Sequence, residues 1–278
     1  MISFSAPLQS ALTSLRRHPW YGLILIVLQI SFLLSIGFIG LNYQVKVMEN
    51  LQTISTIMNS ANLDEQQLLE GNAFLEQTLT LYSAYKSLVR SAATLIIGLL
   101  LVFILFQAVL WTLSQRLVTG QLHSLKQWLT IFGKYCLSTI LFIIPLLLVS
   151  GFLIFLFVRY EFNSSSIGNF SNFFIVFAVI LYYFLQITWA LLPSTSVRQL
   201  PHYWWSFGVC KAYLFFPLII FLHGFVLLWI YLVYILMSNN SHFLILLLTT
   251  IFFILSFLFT RLYFIQFVKL HHDHHHSH

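Results

Sequence analysis

The chain has 278 residues, of which 59% are hydrophobic, 18% aromatic and only 7% charged, with a formal net charge of +6. A water-solvated surface carries about 25% charged residues, so a soluble globular protein is excluded. Long unbroken apolar runs also exclude a transmembrane β-barrel, whose strands alternate in short segments. What remains is an all-α, polytopic helical membrane protein.

Residues 1–19 form an amphipathic lead-in. Leu8, Leu12 and Leu15 recur at helical spacing and run into Arg16, Arg17, His18, Pro19 and Trp20, a pattern suited to the headgroup plane. The single membrane domain, 20–270, holds six predicted spans at 20–41, 91–113, 135–158, 172–192, 213–237 and 242–267. Each reaches the roughly 20 residues a crossing helix needs. The first reads as an uncleaved signal anchor, because its apolar core is too long for a signal peptide. Only Ser238-Asn239-Asn240-Ser241 separates the last two, enough for an antiparallel helical turn.

Between the first two spans, residues 42–90 predict an extracytoplasmic helical hairpin. Val47, Leu51, Ile54 and Met58 make one apolar stripe, and Phe74, Thr78, Leu81, Tyr85 and Leu88 another. Asn62 with Glu65 reads as a helix start, and Gly71 as an interruption before the returning arm. A protein partner on this hairpin and a merely structured loop fit the residues equally well.

Two further lead-ins resemble the first: Leu122, Leu125, Leu129 and Phe132 before Gly133, then Leu200, Trp204 and Phe207 before Gly208. Together they suggest a loose threefold repeat of interfacial amphipathic helix plus two spans. Arg16, Arg17, Arg116, Lys126, Lys134, Arg198, Lys211, Arg261 and Lys269 fall on one side of these spans. Lys46, Lys86, Arg90 and Arg159 fall on the other, so both termini are expected in the cytoplasm of an inner or plasma membrane. The basic residues are scattered singly at span ends, which suits lipid headgroups and gives no nucleic-acid signal. Cys136 and Cys210 are expected to stay reduced as small buried hydrophobes.

Inside the spans the polar inventory is Gln29, Gln107, Gln186 and His223, with no carboxylate. That argues against a proton-coupled or carboxylate-based cation pathway. His223 suits a relay or an intramembrane base, but an interhelical hydrogen bond is the preferred reading. The tail, 271–278, carries His271, His272, His274, His275, His276 and His278. These imidazoles suit weak chelation of zinc, nickel or copper without a scaffold of their own. His18, His123 and His202 are read as interfacial.

Three Asn-x-Ser/Thr matches, at Asn163, Asn169 and Asn239, carry little weight in Asn/Ser-rich loops. Soluble-enzyme motifs are missing, and no cofactor is implied. The leading expectation is a non-catalytic membrane protein organising lipid or partner proteins. The alternative is a small permease for a divalent metal fed by the His-rich tail. An intramembrane enzyme built on His223 stands third.

Overall fold

The computed structural model describes residues 5–61, 71–120, 124–160, 164–193, 195, 197–238 and 243–276. Every regular element among them is helical. In chain order they are α1 (Ser5–Arg17), α2 (Pro19–Ala61), α3 (Gly71–Thr119), α4 (Leu125–Tyr160) and α5 (Ser164–Leu191). A 3₁₀ turn (Val197–Gln199), the short α6 (Leu200–Tyr203) and a π-helical turn (Trp204–Val209) lead to α7 (Ala212–Ser238) and α8 (Phe243–His276). Six of these, α2 to α5 with α7 and α8, are long and apolar enough to cross a membrane.

Local chemistry sets the boundaries. His18 precedes a proline and is pushed out of the helical region, while Pro19 starts α2 where its missing N–H costs nothing. α3 stops at Gly120, whose φ of +66° closes the helix with a bond to the Arg116 carbonyl at 3.0 Å. Ser124 and Gln127 exchange backbone-to-side-chain bonds at 3.1 and 3.4 Å, a capping box that starts α4.

The chain divides into two compact units, Met1–Gln29 with Gln107–His278, and Ile30–Phe106. The described residues of the second unit all belong to α2 and α3, which run on as long arms. These helices have 43 and 49 residues, about 65 and 74 Å at 1.5 Å per residue, against a hydrocarbon core of about 30 Å. Residues 42–61 and 71–90 therefore continue α2 and α3 without a break. Gly71 begins α3 rather than interrupting it, while Asn62 and Glu65 lie outside the described residues.

Phe32 packs on Phe103 and Phe106 at 6.4 and 5.6 Å between ring centroids, and Ile39 lies against Gly98. The protected stripe keeps Val47, Ile54, Leu81 and Leu88 of the expected one and loses Leu51, Thr78 and Tyr85. It runs through Tyr43, Val47, Ile54 and Ile57 on α2 and through Leu81, Ala84 and Leu88 on α3. Leu51 and Tyr85, expected inward, are 44% and 59% exposed. Both arms carry a second apolar row beside the first, so spacing alone did not choose between them. The side chains of Met58 and Phe74 lie outside the described residues.

In the first unit α8 packs against α1, α5 and α7, and α4 packs against α5. α8 is the central helix: 67% of its most apolar window is buried, against at most 39% in any other span. It runs nine residues beyond its predicted end at Phe267, so residues 271–276 are a helical continuation and not an unscaffolded tail. On α1, Pro7 and Ala11 are buried, while Leu8 and Leu12 are exposed.

The three expected lead-ins take three forms. The first is the separate helix α1, cut off by Pro19, and the second is simply the first turns of α4, where nothing breaks the helix. The third is docked, with Leu200 and Phe207 buried at 5% and 1% exposure.

Candidate functional site

The floor of the first unit is the C-terminus of α5, where Leu192-Pro193 ends the helix. Its last four carbonyls have no partner inside the helix, and burial makes each of them costly if left alone. All four are answered. Leu192 N–H reaches the Thr188 carbonyl at 2.9 Å, and the Tyr135 hydroxyl of α4 donates to Trp189 at 2.9 Å. Gln115 Nε2 of α3 donates to Ala190 at 3.0 Å, and Thr195 Oγ1 donates to Leu191 at 3.0 Å.

The π-helical turn is held against the same helix. The Tyr183 hydroxyl donates to the Gly208 carbonyl at 2.8 Å, and Trp204 Nε1 donates to Thr188 Oγ1 at 2.8 Å. A Cβ on Gly208 would lie 2.5 Å from the Phe184 ring, so this approach requires glycine. Lys211 follows, its ammonium 4.6 Å from the centroid of Phe207. Partial burial pulls its pKa below the usual lysine value.

Above this floor lies a small polar cavity of about 50 Å³. Gln107 and Trp111 of α3, Tyr182 and Gln186 of α5, His223 of α7, and Thr260 and Arg261 of α8 line it, with apolar neighbours. Tyr182 and Gln186 stand four residues apart, on one face of α5. His223 Nδ1 lies 2.8 Å from the Ile219 carbonyl, which can only accept, so Nδ1 carries the hydrogen. In a neutral ring Nε2 then accepts from the Tyr182 hydroxyl, 2.8 Å away.

Arg261 is the strongest group present. It is 7% exposed, and its Nη2 donates to Gln107 Oε1 at 3.3 Å. Its guanidinium carbon lies 5.7 Å from the Trp111 ring, and Trp111 in turn packs on Trp189 and Tyr135. The Arg261 Nη1 has no hydrogen-bond partner among the described residues.

Three of the four polar residues expected in the spans therefore meet: Gln107, Gln186 and His223. Gln29 is 2% exposed in α2 and does not line this cavity; its Oε1 has no partner among the described residues. Arg261 was expected on the basic rim, and the structure corrects this, placing it in the core with Tyr182 and Thr260. The signal was present in the sequence. Arg261 sits six residues inside its predicted span, and apolar residues continue beyond it to Leu270.

His271 also leaves its expected group. It is 5% exposed, with Nδ1 at 2.8 Å from the Phe267 carbonyl and its ring against Phe267 and Phe215. The side chains of His272, His274, His275, His276 and His278 lie outside the described residues, as does His123. His18 and His202 are exposed. Cys136 and Cys210 are free thiols, Cys136 half-buried and Cys210 exposed, where both were expected to be buried. Among the described residues no three His, Cys, Asp or Glu side chains gather as a metal site.

On the other side of Leu222, which lines both spaces, an apolar groove of about 510 Å³ runs between α1, α7 and α8, walled by Leu8, Tyr213, Pro217, Phe221, Phe259 and Tyr263. No family model, curated protein or solved structure matches the chain.

Proposed function

We propose that the chain is a non-catalytic membrane protein that organises partner proteins and lipid, with the α2–α3 arms as its docking element. One observation carries this reading. Past the length a bilayer needs, α2 and α3 continue as helices that expose Val45, Met48 and Leu51 on one arm and Leu79, Tyr82 and Tyr85 on the other. Apolar and aromatic side chains exposed among polar residues are what a protein partner covers. The groove between α1, α7 and α8 supports the lipid half of the reading, since it offers a lipid acyl chain apolar walls.

The arms would stand on the extracytoplasmic side of an inner or plasma membrane, with both termini cytoplasmic. With Arg261 set apart in the core, eight basic residues remain on the terminal side against four on the arms' side. A photo-crosslinking residue at Tyr82, expressed in native membranes, is expected to give a discrete adduct that the same residue at exposed Gln52 does not. Catalytic turnover or solute translocation by the purified protein in liposomes would overturn the proposal.

A small permease is the second reading, favoured by the meeting of Gln107, Gln186 and His223 at one cavity. A divalent metal suits it poorly, because the fixed charge there is the cation Arg261. Uptake of zinc, nickel and copper by a variant with serine at the five histidines after His271, compared with the native chain, tests the tail's part. That variant leaves the buried His271 in place. Equal uptake by both removes the tail from the mechanism, and no uptake by either removes the reading.

A further inference from the structure

A guanidinium keeps its charge in any protein environment. Burying one with an unused donor is costly unless an opposite charge or complete hydrogen bonding offsets it. Arg261 stands near the middle of the α8 span Leu247–His271, is more than nine-tenths buried and lines the cavity, and its Nη1 has no hydrogen-bond partner among the described residues. Its neighbours Gln107, Trp111, Tyr182 and His223 supply acceptors, a ring face and hydroxyl oxygen, but no formal negative charge. Among the described residues no Asp or Glu lines this space. Along the sequence the only acidic residue between Glu76 and Asp273 is Glu161.

The remaining lining groups strengthen the asymmetry. The amides of Gln107 and Gln186 and the hydroxyl of Thr260 can each present a hydrogen to the cavity. A space of about 50 Å³ holds roughly three to five water-sized positions. That is room for a halide or a formate-sized ion. The geometry points to a binding site for a small monovalent anion, held by Arg261 with Gln186 and Thr260, that neutralises the core of the first unit.

Trp111 lines the same cavity and provides the probe, because bromide quenches indole fluorescence on contact. The purified full chain, freed of halide by exchange into gluconate, is titrated with sodium bromide at constant ionic strength. Saturable quenching is expected in the native chain and not in Trp111→Phe. Chloride should compete with it and raise the unfolding midpoint by about 3 °C over gluconate, as binding linkage requires. Arg261→Gln should abolish the saturable component, and Gln186→Leu should weaken it about tenfold.

Linear quenching identical in the native chain and Trp111→Phe, with equal midpoints in chloride and gluconate, would mean that ordered water alone fills the cavity and would overturn the site. Saturable quenching that survives in a folded Arg261→Gln variant would overturn it equally. If Arg261→Gln does not fold, the native and Trp111→Phe titrations decide.

Discussion

Both units make local side-chain bonds to their own helices, and among the bonds described the first unit adds distant ones. In the arms of α2 and α3, Asn42, Asn50, Thr53, Thr56 and Thr94 bond back to carbonyls four residues earlier on their own helix. In the first unit, Gln115, Tyr135, Tyr183, Trp204 and Arg261 reach partners 16 to 154 residues away. Local bonds make a helix self-sufficient and leave its surface free for other contacts. Distant bonds tie several helices into one arrangement, because a change at either end orphans a buried group. The first unit is built to be specific, and the second to be available.

Overfilling the first unit should give the largest effect. Gly208→Val places a branched side chain where even one carbon would sit 2.5 Å from the Phe184 ring. Phe184 is itself held edge-on by Tyr183 and Trp204, so it has little freedom to retreat. A loss of about 2–3 kcal/mol is expected, read from reversible unfolding in mixed micelles. A loss under about 0.5 kcal/mol would show that the π turn moves freely, and the contrast between the units would weaken.

Unpairing the end of α5 should cost less. Tyr135→Phe keeps the ring against Trp111 but leaves the Trp189 carbonyl without its donor. Gln115→Leu does the same to Ala190. Each is expected to lower stability by about 1 kcal/mol, the low end for an orphaned buried group because membrane references find substitute partners. Thr53→Ala in the arms, which removes only an exposed local bond, should stay within about 0.5 kcal/mol. Equal losses in the three variants would erase the distinction between distant and local bonding.

The sequence shows the arms' helices and the six spans because both are local properties. Uninterrupted apolar runs of 20 residues and breakers such as Pro19 and Gly120 act on their own neighbours. It does not show the site, because Tyr135 and Gln115 find their carbonyls 54 and 75 residues away. Arg261 stands six residues inside its predicted span, yet only the run of α8 to His276 shows it in the core. His271 looked like the first residue of a chelating tail for the same reason. Gln107, Gln186 and His223 were legible as polar residues in apolar runs, but not that they share one cavity while Gln29 stands apart. The stripes on the arms were legible in part: Val47, Ile54, Leu81 and Leu88 are protected as expected, while packing leaves Leu51 and Tyr85 exposed.

A substitution expected to stabilise tests the availability of the arms. Gly37 lies in α2 with nothing within 4 Å of the position a Cβ would take. Gly37→Ala should therefore gain only the helix-propensity difference, about 0.5–1 kcal/mol of stability in the purified chain. The same substitution also reports on what covers α2 in the membrane. If a partner or a second copy packs at Gly37, the added methyl group should weaken that association in native membranes while still stabilising the isolated chain. Stabilisation with unchanged association would confine docking to the outer stretch around Tyr82. Destabilisation of the isolated chain would mean that Gly37 is already covered, and the arms are less available than their exposure indicates.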